Sequence, residues 1–154
     1  ADVLFQSSDG PIFKICRRHL QSASAGLAVS DHLVVDDEPV YLQETSEVLE
    51  VLFQFIQPPA EGKRFRQPSV RDLEPRMFFA VAEAAEKYIV YGAMNTFSTH
   101  MYQMVDKYPV EVLNHCERHG YPDLVDAAAS KTISKPLAAV VDGLWHPGLI
   151  IRWV

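Results

Sequence analysis

The chain has 154 residues, a formal net charge of -6 and 48% hydrophobic residues, which suits one compact domain with a helical extension and excludes a mainly disordered chain. The acidic balance excludes a general phosphate-backbone surface, and no apolar run is long enough to span a bilayer, so neither nucleic acid nor membrane is an expected partner. Two cysteines, Cys16 and Cys116, do not make a disulfide framework and favour a reducing, intracellular setting, cytoplasmic or nuclear.

The first sixteen residues read as a β-hairpin. Val3 and Phe5 fall on one face of an extended strand, and Phe13 and Ile15 on one face of the next, because strand side chains alternate with period two. Between them, Ser7-Ser8-Asp9-Gly10-Pro11 supplies a tight reversal: glycine tolerates φ > 0, and Asp can bond its own backbone. Pro11 cannot donate a ladder hydrogen bond, so it belongs to the turn or a strand edge. Residues 17–28 suit one or two short helices, and Val40-Tyr41-Leu42 a third strand after the Asp36-Asp37-Glu38-Pro39 break.

Thr45-Ser46 offers an N-cap, and Glu47 a carboxylate for the first turn of a helix running to about Gln57. Its apolar face is broad, with Val48, Leu52, Phe55 and Ile56 at helical spacing and Leu49 and Phe53 widening it. Pro58-Pro59 ends it. Residues 58–76 form a polar connection with a local positive excess (Lys63, Arg64, Arg66, Arg71, Arg76), read as a solvated loop with a short helix or a docking surface for an acidic partner.

From Met77 onward the chain is almost continuously helical. Phe78, Ala82, Ala85 and Ile89 repeat at helical spacing, and Gly92 is the expected break before a second helix through Val105. Pro109 suits a first turn that Gly120 closes, and Pro122 and Pro136 suit two further helix starts. Residues 149–154 are strongly apolar, expected either to pack back on the helical part or to belong to a fragment whose next element is missing; left exposed, they would be a partner site or an aggregation risk.

Few residues suggest chemistry. His115 and His119 share a helix face at i and i+4, as a zinc site requires, but Glu117 does not directly follow the first His as in the hydrolytic motif. Cys16 lies beside Arg17, Arg18 and His19, a setting that favours thiolate. No phosphate loop, nucleophile elbow or dinucleotide fingerprint is present. The expectation is therefore a non-enzymatic chain without catalytic, cofactor-binding or metal residues, with a thiol- or metal-dependent enzyme using Cys16 or the His115/His119 pair as the alternative.

The order of the opening hairpin, the Val40-Tyr41-Leu42 strand, Ser46-Glu47-Val48-Leu49 leading to Phe55-Ile56, and Ala82-Glu83-Ala84-Ala85-Glu86-Lys87-Tyr88 resembles BTB/POZ domains, most closely the large fungal group. The resemblance covers about residues 2–105. It implies an α-rich α/β fold, a small sheet with a β-hairpin flanked by a cluster of helices, followed by a helical extension over residues 106–154 that packs on it. It also implies a protein–protein interaction module that self-associates or recruits partners, among them a cullin-type ubiquitin ligase. In dimeric members an Asp opening the first strand and an Arg opening the first helix contribute to a charged groove, which by position would be Asp2 and Arg17. Cullin-binding members carry an apolar-x-Glu motif before the third strand, approximated here by Val35, Asp37 and Glu38. Cys16 stands where the family often has His, and only Ala1 precedes Asp2, where dimeric members carry an exchanged element. The expected partners are thus proteins, with a homodimer and a cullin both open.

Overall fold

Alternation in the opening residues produces the expected hairpin. In the computed structural model, which describes residues 2–27, 38–58, 68–133 and 135–144, strand β1 (Asp2–Gln6) pairs antiparallel with β2 (Ile12–Cys16). Gly10 supplies the left-handed turn residue at φ 109°, and Ser7 N–H donates to the Pro11 carbonyl at 3.0 Å. Strand β3 (Val40–Tyr41) joins the other edge of β1 in parallel, giving a mixed sheet in the order β2-β1-β3. The register sets Val3 against Ile15 and Phe5 against Phe13, so all four share the inner face.

Helix α1 (Arg17–Ala23) follows β2 directly and buries Leu20. Helix α2 (Ser46–Phe53) buries Val48, Leu49, Leu52 and Phe53. The Phe53 ring lies 5.6 Å from Phe5 and 5.2 Å from Phe13, which seats α2 on the inner face of the sheet. The helix is shorter than its apolar pattern predicts. Phe55 and Ile56 N–H groups bond carbonyls three residues back, a tightened last turn ahead of Pro58.

Helix α3 (Pro75–Lys87) starts on proline and buries Phe78, Val81, Ala82, Ala84 and Ala85. The break before α4 (Tyr91–Met101) falls at Tyr88-Ile89-Val90, not at Gly92, which lies inside the first turn of α4. Ile89 takes the left-handed conformation at φ 50°. The physical reason is long-range. Ser24 Oγ and Gly26 N–H both donate to the Tyr88 carbonyl, at 2.6 and 2.9 Å, and Ala25 N–H donates to that of Ile89 at 3.1 Å.

The chain divides into two compact units at Phe97/Ser98, within α4. In the second, α5 (Pro109–His119) starts on proline and is followed by Gly120 at φ 79°. Helix α6 (Pro122–Thr132) also starts on proline, and α7 (Leu137–Gly143) follows Pro136. Asn114 Nδ2 donates to the Gly143 carbonyl at 2.7 Å, tying α5 to the end of α7. Among the described residues no helix is long and apolar enough to cross a membrane. The architecture is a helix-rich α/β one with a small three-stranded mixed sheet.

Candidate protein-interaction surface

The sheet has two unlike faces. The inner face is core: Val3, Phe5 and Ile15 are buried. The outer face carries the alternate residues, Asp2, Leu4 and Gln6 of β1, Ile12, Lys14 and Cys16 of β2, and Tyr41 of β3. Gln6 pairs with Ile12 on one side and Tyr41 on the other, so the three form a row across the sheet. Both flanking side chains are open to solvent, Ile12 at 56% and Tyr41 at 75%. Val40 adds a further exposed apolar group on the short edge strand.

The charged end of this face lies at the start of β1. Asp2 faces Cys16 in the register and forms its ion pair with Lys14, Oδ2 to Nζ at 3.4 Å. Both side chains reach solvent, which makes the pair worth little for stability. Arg17, half-buried, directly follows Cys16 at the start of α1. Register thus brings Asp2 and the Cys16-Arg17 junction to one end of the sheet. Glu38 is exposed, two residues ahead of β3, whereas Val35 and Asp37 lie outside the described residues, as do Lys63, Arg64, Arg66 and residues 149–154.

Two polar joints hold the sheet on its helices. At the hairpin tip, Asp9 Oδ1 accepts from the Ser46 N–H at 2.7 Å and Oδ2 from the Ser46 hydroxyl at 2.6 Å. The Ser46 hydroxyl, then that of Ser7, then the Ser46 N–H hold the Asp9 carboxyl at about 2, well below the ordinary 3.8. At the second joint, Glu44 accepts from Lys87 Nζ at 2.8 Å and from the Tyr88 hydroxyl. Partial burial opposes the Glu44 charge, but the hydrogen bonds from Lys87 and Tyr88 outweigh it and keep the carboxyl below its usual range. The same contact raises Lys87, while burial first and Glu44 second raise Tyr88. All three are thus held in their resting protonation states, as structural groups are.

The residues suspected of chemistry sit as follows. Cys16 is half-buried at the N-cap of α1. The His115 and His119 rings lie 4.7 Å apart on α5, and buried His115 also stacks at 6.2 Å on Tyr121. Cys116 is buried with its sulfur 3.5 Å from Met101 Sδ, a packing contact. A half-open cavity of about 190 Å³ beside the α5–α6 turn, lined in part by Ser98, Tyr102, Tyr121 and Asp123, is smaller than the ~300 Å³ at which small-molecule sites begin.

Sequence reading passed over the Ile12–Gln6–Tyr41 row. A signal existed, since Ile12 is an apolar residue in the polar phase of its strand. Tyr41 could not be assigned to the same face without the parallel β1–β3 register. No family model matches the chain, and a search of curated proteins finds no match.

Proposed function

We propose that the chain is a protein–protein interaction module of BTB/POZ type, self-associating or recruiting partner proteins, with a cullin-type ubiquitin ligase among the candidates. The observation that carries this reading is the outer sheet face, where Ile12 and Tyr41 stand exposed on either side of Gln6, with the Asp2–Lys14 pair at its end. Apolar groups set among polar ones on an exposed sheet face suit burial against another protein. The helix-rich α/β architecture and the element order β1-β2-α1-β3-α2-α3 agree with the expectation from the resemblance. An adaptor of this kind works in the cytoplasm or nucleus.

The test combines light scattering over a range of concentrations with affinity capture scored for cullin and for self-association. The double variant Ile12→Thr/Tyr41→Thr is expected to lower self-association or capture at least tenfold while circular dichroism and thermal unfolding stay as in the native chain. A monomer at every concentration whose captured partners are indifferent to the substitutions would sink the reading. Loss of capture on Cys16→Ser alone would instead favour the thiol chemistry.

A further inference from the structure

Helix α5 ends on two imidazoles that its turn spacing brings together. His115 and His119 stand one turn apart on the same face. Their ring centroids lie 4.7 Å apart with the planes tilted by 54°, and a nitrogen of one ring lies within 4.8 Å of a nitrogen of the other. His115 is 3% exposed, and its ring is set by packing, nearly parallel to that of Tyr121 at 6.2 Å. The Tyr121 backbone is fixed in turn, since its N–H and that of Gly120 both donate to the Cys116 carbonyl at 2.9 Å. One imidazole is therefore held in place, and half-exposed His119 supplies the adjustable partner.

We propose that His115 and His119 form a binding site for a divalent cation of the zinc class, with water completing the coordination. Zinc at about 2.0–2.1 Å from each of two imidazoles holds their nitrogens about 3.4 Å apart, a gap that rotation of the His119 side chain closes. The ligand chemistry selects the ion: imidazole suits zinc, copper and nickel, whereas magnesium and calcium prefer oxygen. The position favours a positive charge, because both residues lie at the C-terminal end of α5, where the helix is electronegative. Glu111 adds a carboxylate on the same stripe, one turn before His115. Arg118 is exposed and projects about 100° round the helix from His119, away from the ion. Each imidazole donates a ring-nitrogen lone pair, and nothing is oxidised or reduced. The bound ion clamps the last turn of α5 and stabilises the folded chain, because the unfolded chain does not hold the two rings together. The inference does not rest on the interaction reading, because metal binding and folding report it without any protein partner.

The experiment titrates zinc alone into the full chain, followed by calorimetry, by thermal unfolding and by NMR of the histidine ring nitrogens, with magnesium in parallel. The informative variant is His119→Gln, since its side chain is the less buried of the two. The expected result is one zinc per chain with a Kd in the micromolar range and a raised Tm. Zinc should shift the ring nitrogens of His115 and His119, His119→Gln should weaken binding at least tenfold, and magnesium should give no response. No heat up to millimolar zinc, equal affinity in His119→Gln, shifts confined to other histidines, or an equal response to magnesium would each overturn the proposal. Should His119→Gln not fold, the NMR titration of the native chain decides. Shifts of both the His115 and His119 rings support the site, and the absence of either refutes it.

Discussion

Ile89 carries backbone strain that its neighbours impose. It follows α3 in the left-handed conformation, with its own N–H bonded to the Glu86 carbonyl at 3.3 Å and the Val90 N–H bonded to that of Ala85 at 2.9 Å. This is a Schellman termination, in which the left-handed position ordinarily goes to glycine. A β-branched residue there costs about 1–2 kcal/mol. Gly120, in the same role after α5, has no such cost. Ile89→Gly is therefore expected to leave stability unchanged or raise it by up to about 1 kcal/mol, because relief of strain offsets the extra chain entropy of glycine. Chemical denaturation reads this, and a loss above about 1 kcal/mol would show that the 39%-exposed side chain matters more than its backbone. Gly26 gives the opposite case. It is exposed, yet a Cβ there would sit 2.6 Å from the Tyr88 carbonyl oxygen. Gly26→Ala should cost about 1–3 kcal/mol, as overpacking against backbone does.

Helix α2 joins the elements of the first unit. Its Phe53 touches Phe5 and Phe13 across both strands of the hairpin, so removing that ring opens a cavity between sheet and helix. Phe53→Ala is expected to cost about 3–5 kcal/mol by denaturant unfolding, against less than about 1 kcal/mol for truncation of exposed Glu50 in the same helix. The polar joints on either side of α2 contribute a pH dependence to this unit. Asp9 and Glu44 both have lowered carboxyls, so their contribution is present above their ordinary values and is lost as pH falls. For Asp9 the window runs from 3.8 down to about 2. Lys87 and Tyr88 are raised, so their contribution is present below about 10 and lost as pH climbs beyond it. Unfolding followed from pH 5 to 2 should show a shallower decline for Asp9→Asn than for the native chain. Identical slopes would mean that the Asp9 carboxylate does not cap α2 in solution.

At the scale of the molecule, the buried and the exposed apolar residues of the sheet separate by face. The inner sheet face is consumed by the core, and the outer face holds Ile12 and Tyr41 exposed, so substituting the latter pair should move stability by no more than about 0.5 kcal/mol each while changing association. Much of this was legible beforehand. Alternation announced β1 and β2, and prolines at 109 and 122 stand at the first turns of α5 and α6 because a residue without an N–H loses nothing there, whereas α3 starts on Pro75, two residues ahead of the Met77 expected from the sequence. Gly120 marked the end of α5 because only left-handed backbone needs glycine so strongly. Local signals of this kind act within a few residues, and the sequence by itself determined the helix-rich α/β class, the hairpin and most helix starts. Only the tertiary structure decided where α3 breaks, what caps α2 and which side chains remain on the open sheet face. Each of these depends on partners distant in sequence: the loop at Ser24-Ala25-Gly26 holding Tyr88 and Ile89, the Asp9 carboxylate reaching Ser46, and the parallel β1–β3 register placing Tyr41 beside Gln6. Periodicity records which residues share a face of one element; which face another element covers is set by packing between elements.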